Sequence, residues 1–324
     1  MRWLLCPAVL LAILAGCGDT SGNGGPDAAY RDEMVDLLVS LDSYAAAHAP
    51  GFVLVAQNGQ ELLTGDGEPG GAVNGAYRDA LDGQAREDLY FGYLADNEPT
   101  PPSEAAWMEA FLDLAESEGL EVLVTDYCWT ASYVDSSYAW SEERGYISFA
   151  ADSRELDGIP GYPAQPWNAN GSPVGGLGDA RNFLYLINDA QFSSAEEMVS
   201  ALAATRYDLL IVDLFCCGEQ LSAAQVSQLR AKPSGAERLV LCYMCIGEAE
   251  DYRWYWQPEW EADPPVWLGP ENPDWPGNYL VAYWDAQWQA ILYGDPDSYL
   301  DRIMEAGFDG AYLDKVDAFE DWED

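Results

Sequence analysis

The stretch GFDGAYLDKVDAFE (Gly307–Glu320) decides how the rest of the chain is read. Gly310–Leu313 is short and apolar, and glycine and aspartate bound it, the pattern of a strand buried on both faces. It ends in two carboxylates, Asp314 and Asp317, with Lys315 between them. Polar side chains at the C-terminal end of a buried parallel strand mark the catalytic edge of an α/β enzyme.

The same pattern recurs along the chain. FVLVAQNG (Phe52–Gly59) ends in Gln57 and Asn58, and ALDGQAREDLYFG (Ala80–Gly92) carries Glu87 and Asp88. EVLVTDYC (Glu121–Cys128) brings Asp126; GYISFAA (Gly145–Ala151) brings none. FLYLIND (Phe183–Asp189), YDLLIVDLF (Tyr207–Phe215) with Asp213, and RLVLCYMCIGEAE (Arg238–Glu250) with Tyr243, Glu248 and Glu250 complete the set. Segments with apolar residues at helical spacing lie between most of them: Glu33–Ala49, Glu104–Gly119, Ser194–Arg206, Ala223–Ala231, Asp285–Tyr293 and Asp297–Ala306. Strands alternating with helices argue for a parallel sheet, and eight such units argue for a closed (β/α)8 TIM barrel. An open doubly wound sheet is the alternative. Residues 158–181 lack periodicity, are dense in Gly, Pro and Asn, and read as a linker.

The N-terminus reads as an export signal. Arg2 precedes an apolar run, Leu4–Leu14, too short to cross a bilayer, and LAGC ends at Cys17. This is the pattern of a bacterial lipoprotein signal over residues 1–17, with Cys17 lipidated, residues 18–29 a flexible tether and residues 30–324 one barrel domain. The expected location is the cell envelope, with lipid as the only membrane contact. The net charge of −42, from 56 acidic and 14 basic residues, excludes nucleic acid as a partner. It favours cations and cationic substrates through steering, and equally suits a solvated acidic surface. A monomer is expected.

Seven cysteines are present. In an exported chain, Cys216/Cys217 and Cys242/Cys245 suggest a disulfide between two successive strands, and FCCG and CYMC suggest bound metal less. Five remain after Cys6 and Cys17 are set aside, so one thiol stays unpaired. The only histidine, His48, ends a helix, which disfavours His-based triads and metal sites. No cofactor or metal is expected. The chemistry left is that of carboxylates, amides and aromatic rings.

VLCYMCIGEAEDYRWYW, WPGNYLVAYWDAQWQAIL and GFDGAYLDKVDAFE resemble glycoside hydrolase family 114, which includes endo-α-1,4-polygalactosaminidases; PGFVLVAQNGQELL and ALDGQAREDLYFG are similar to further segments of that family. In the family, the segment like GFDGAYLDKVDAFE comes before the other two. Here it follows them, which implies a circular permutation: family strands 5 to 8 first, then 1 to 4, joined by the 158–181 linker. The resemblance implies a glycoside hydrolase acting on α-linked amino-sugar polymers such as polygalactosamine, by a retaining mechanism, which the N-terminal pattern makes exported and lipid-anchored. It assigns Asp314 as nucleophile and Glu87 as general acid/base; the neighbouring Asp88 could swap roles with Glu87, which the family match favours. Asp213, Glu248, Asp126, Gln57, Asn58, Tyr243 and Asp317 are the expected substrate-binding residues. Lys315 either holds Asp314 ionised or points outward. Loop tryptophans such as Trp254, Trp256, Trp275 and Trp284 either line sugar subsites or pack in the core. A catalytically silent carbohydrate-binding lipoprotein is the alternative, and an acidic cation-binding surface protein a further one.

Overall fold

The structure, a computed structural model, describes residues 26–323. The signal segment, Cys17 and most of the expected tether lie outside the described residues. Eight strands are hydrogen-bonded in parallel: β1 (Val53–Gln57), β2 (Gly83–Glu87), β3 (Glu121–Tyr127), β4 (Ile147–Ala151), β5 (Phe183–Leu186), β6 (Leu209–Val212), β7 (Leu239–Cys245) and β8 (Gly310–Asp314). Their order around the sheet is β5-β6-β7-β8-β1-β2-β3-β4. The two edges, β4 and β5, face each other, and Phe149 packs on Phe183 across the gap with ring centroids 5.6 Å apart. Side chains rather than backbone bonds close this last seam of a (β/α)8 TIM barrel.

Gly310 lets β8 sit tightly between its neighbours. A Cβ there would lie 2.2 Å from the Val53 carbonyl and 2.6 Å from Leu241. The helices are α1 (Pro26–His48), α2 (Gly75–Asp79), α3 (Pro102–Ser117), α4 (Ala131–Arg144), α5 (Ala195–Ala203), α6 (Ala223–Arg230), α7 (Ala286–Leu292) and α8 (Tyr299–Ala306). Local sequence sets their ends. Ser222 and Gln225 form a capping box at α6, and Ser194 caps α5 through Glu197 N–H. Met34, Leu37, Leu38 and Leu41 form the buried stripe of α1 at the expected spacing.

Helix α1 fills the position after β8. Arg31 pairs with Glu323 at 2.6 Å, and Tyr283 Oη donates to the Tyr30 carbonyl at 2.7 Å. The segment between β4 and β5 holds no α-helix, only a 3-10 turn at Leu177–Asp179. The barrel's one unbonded seam therefore coincides with its one helix-free connection.

Three local expectations need correction. α1 begins at Pro26, inside the segment read as tether. RLVLCYMCIGEAE is not one strand: β7 stops at Cys245, and Glu248–Glu250 joins an antiparallel sheet with Leu268–Glu271 and Asn278–Val281 inside the Trp-rich stretch. The break falls at Gly247, where a Cβ would lie 2.3 Å from the Lys315 carbonyl. Third, Cys128, Cys216, Cys217, Cys242 and Cys245 are all free. Cys242 is paired in register with Val212 inside the barrel, whereas Cys216 and Cys217 lie beyond the end of β6. Among the described residues no helix is long and apolar enough to cross a membrane.

Candidate active site

Adjacent strands β8, β1 and β2 deliver Asp314, Gln57 and Glu87 to one face of the barrel. Gln57 Nε2 donates to Asp314 Oδ1 at 3.1 Å and to Glu87 Oε2 at 2.7 Å. One nitrogen at normal hydrogen-bond lengths cannot serve two oxygens more than about 6 Å apart. Residues 227 positions apart on the chain thus meet through a single amide between them. The remaining donors are neutral. Tyr243 Oη donates to Asp314 Oδ2 at 2.7 Å, and the Lys315 amide to Oδ1 at 2.8 Å. Tyr127 Oη donates to Glu87 Oε1, and Asn58 Nδ2 to Oε2 at 3.3 Å.

A backbone device accompanies each strand end. Asn58, Asp88 and Lys315, the residues that follow Gln57, Glu87 and Asp314, have φ of 61°, 59° and 60°. This left-handed turn bends the chain away directly after the functional side chain. Asn and Asp tolerate it; for lysine it is uncommon and costs on the order of 1 kcal/mol or more. The turn also settles where Lys315 points. Its Nζ bonds Asp321 at 2.9 Å and lies 3.7 Å from Glu248, so its amide, not its ammonium, touches Asp314.

Burial pushes the Asp314 carboxyl up to about 7, Glu87 adds to the rise, and the Tyr243 hydrogen bond opposes it. Burial raises Glu87 as well, with Asp88 adding to the shift and Tyr127 opposing it. Burial thus favours the protonated form of both carboxyl groups, and among the described residues no cation in contact offsets it.

The other predicted residues divide. Asn58 supports Glu87 from both sides, its Oδ1 accepting Glu87 N–H at 3.3 Å. Asp213 lines the cleft but is held by buried Arg253 at 2.7 Å, which also holds Glu250 at 2.7 Å. Glu248 accepts from Asn272 Nδ2 at 2.7 Å and Asn278 Nδ2 at 3.0 Å. Asp317 lines the cleft, and its Oδ1 is buried with no hydrogen-bond partner among the described residues. Asp126 does not line the cleft. It faces the opposite side of β3 from Tyr127 and accepts from Tyr90 N–H, Phe91 N–H and Ser137 Oγ, which fastens the loop after Glu87. Asp88 is bound by Arg154 at 2.8 Å and is not free to exchange with Glu87. His48 stacks on Tyr44 at the end of α1.

Sequence reasoning missed Tyr127, next to the aspartate it selected. It also missed Arg154, which stacks 3.9 Å over the Tyr127 ring, and the Arg253 clamp. The cleft between these walls is about 970 Å³. Its cations Arg154, Arg253 and Lys315 are all engaged in ion pairs. Of the loop tryptophans, Trp254, Trp256 and Trp284 pack on aromatic neighbours, and Trp254 also lines the cleft. Trp275 is 46% exposed, lines the cleft, and has no aromatic partner among the described residues.

Residues 181–324 match the model of Glycoside-hydrolase family GH114. That span contains β5 to β8. An uncharacterized protein of Methanocaldococcus jannaschii is 40% identical over 139 residues, covering 42% of this chain and 39% of its own length. An uncharacterized protein of Deinococcus radiodurans is 40% identical over 122 residues, with coverage of 38% and 37%. A third, from Thermotoga maritima, is 37% identical over 121 residues, with coverage of 37% and 36%. The chain spans less than two-fifths of the length of each of these relatives.

Proposed function

We propose that the chain, whose residues 181–324 match glycoside hydrolase family 114, is a member of that family and cleaves α-linked amino-sugar polymers, polygalactosamine foremost, with retention of configuration. Asp314 attacks the anomeric carbon. Glu87 protonates the departing oxygen and then activates water against the glycosyl-enzyme. The observation that carries this reading is the Gln57 amide bridging both carboxylates. Retaining enzymes need their two carboxyl groups about 5–5.5 Å apart, whereas inverting enzymes need roughly 6.5–9.5 Å to admit a water. A single bridging nitrogen, which keeps the nearest oxygens of the two carboxyl groups within about 6 Å, supports the shorter spacing.

The substrate class follows from charge. The cleft's cations are already paired, while among the described residues no cation contacts Glu87, Asp314 or Asp317. A sugar carrying ammonium groups supplies the missing charge. The buried Oε1 of Gln57 and Oδ1 of Asp317 have no hydrogen-bond donor among the described residues and are available to its hydroxyl or ammonium groups. Trp275 offers a flat apolar face for a ring further out.

The helix-free seam between β4 and β5, the placement of α1 after β8, and a family match that starts at the seam support the permuted strand order. A rearranged chain beginning near residue 181, with residue 324 joined to residue 30, should fold and keep activity. Lipid attachment at Cys17 and an envelope location rest on the sequence pattern, and mass analysis of Cys17→Ser against the parent tests them.

The function is tested by incubating the protein with polygalactosamine and following the anomeric configuration by NMR. The α-anomer should appear first, and Asp314→Asn and Glu87→Gln should abolish it. Tight binding without turnover by the unaltered chain would instead make this a carbohydrate-binding protein.

A further inference from the structure

A second cluster of reactive side chains stands apart from the catalytic pair. Asp189 lies just beyond β5, and Cys216 and Cys217 lie beyond β6, so the cluster joins two neighbouring barrel loops at the rim of the cleft. A carboxylate oxygen and both Sγ atoms lie within 4.8 Å of one another. The two sulfurs are 3.4 Å apart. Thiolates bound to a tetrahedral zinc ion at Zn–S of about 2.3 Å sit roughly 3.8 Å apart, so the pair needs only a small spread.

The backbone explains the convergence. Adjacent side chains in an extended strand point to opposite faces. Cys217 has φ of 54° and Gly218 of 81°, and this left-handed pair brings both thiols to one side. The Cys217 N–H donates to Asp189 Oδ2, which holds the carboxylate against the sulfurs. Asp189 Oδ1 takes no hydrogen bond among the described residues. Cys217 is exposed and Cys216 buried, so an ion entering from solvent is received by one sulfur and seated by the other. Among the described residues, no second trio of this kind exists.

We propose that Asp189, Cys216 and Cys217 bind a soft divalent metal ion of the zinc class, with water as the fourth ligand. Two thiolates and a carboxylate suit zinc or cadmium and disfavour calcium and magnesium, which require oxygen donors. Binding displaces the two thiol protons. The ion pins the β5 and β6 loops together. Phe215, the residue before Cys216, stacks on Trp254 at 5.3 Å, and Asp213 holds Arg253, so the ion stiffens the wall opposite the catalytic carboxylates.

The test uses the reduced protein, kept in a phosphine reductant and titrated with cadmium chloride. A sulfur-to-cadmium charge-transfer band should grow to one ion per chain. Zinc chloride should compete for the site and raise the melting temperature by mass action, while calcium chloride should do neither. Cys217→Ser, at an exposed position that should not disturb folding, should lose the band. Asp189→Asn should keep it with affinity weakened about tenfold or more. Absence of the band, a band unchanged in Cys217→Ser, or affinity unchanged in Asp189→Asn would each overturn the proposal.

Discussion

The two walls of the cleft treat their carboxylates in opposite ways. On the wall made by β8, β1 and β2, Asp314 and Glu87 receive only neutral donors: Tyr243, Tyr127, Gln57, Asn58 and a backbone amide. On the wall made by β6, β7 and the added antiparallel sheet, Asp213 and Glu250 are clamped by Arg253, and Glu248 by two asparagines and the nearby Lys315. A paired carboxylate is fixed in its charge and serves as structure. One with neutral donors in a desolvated site can gain and lose a proton, which acid/base work requires. Counting acidic residues around the cleft does not distinguish these uses; the identity of the donors does.

The largest effects should come from the first wall. Glu87→Gln should lower kcat on polymer by about 10²–10⁴, and Asp314→Asn by at least as much, with folding intact by circular dichroism. Equal, few-fold losses would erase the distinction between the walls. Arg253→Met tests the second wall. It leaves Asp213 and Glu250 buried without their cation and should cost about 3–5 kcal/mol in denaturant unfolding. The surviving folded enzyme should keep kcat within a few-fold, and a selective loss of kcat would make the clamp catalytic.

Gln57→Leu should lower kcat on the order of 10–100-fold, the worth of hydrogen bonds to charged groups. With a donor to the ionised form gone, the acid limb of the pH–rate profile should move to higher pH. A limb that stays in place would mean that the amide only fills space. The smallest effect concerns stability. Asp314 and Asp126 are pushed from the ordinary aspartate range up to about 7 by burial, so between those values the folded state holds more protons than the unfolded one. Stability should therefore fall as pH rises from about 4 through 7, opposite to a salt-bridged aspartate. Asp126→Asn should flatten that slope in thermal melts across pH.

Much of the scaffold was legible because most of the buried parallel strands are short and apolar; β2, Gly-Gln-Ala-Arg-Glu, is the weakest of them on that pattern. All eight barrel strands lie within segments chosen on that pattern. The antiparallel sheet was not, because Leu268–Glu271 and Asn278–Val281 are half exposed and carry Pro, Gly and Asn, which read as loop. The site was legible where strand ends were polar. Choosing Asp126 over Tyr127 favoured the more reactive side chain, but alternation along β3 sends those two residues to opposite sides, and register alone does not say which faces the cleft. The role of Gln57 needed coordinates, since it depends on an amide lying between residues from opposite ends of the chain.

The most direct test is covalent trapping. The protein is incubated with a 2-deoxy-2-fluoro glycosyl fluoride of the galactose series, digested and sequenced by mass spectrometry. One sugar attached to the peptide containing Asp314 is the expected result, with no label in Asp314→Asn. Turnover of polymer with no trapped sugar, or a label on another carboxylate, would contradict the assignment of Asp314 as nucleophile across from Glu87.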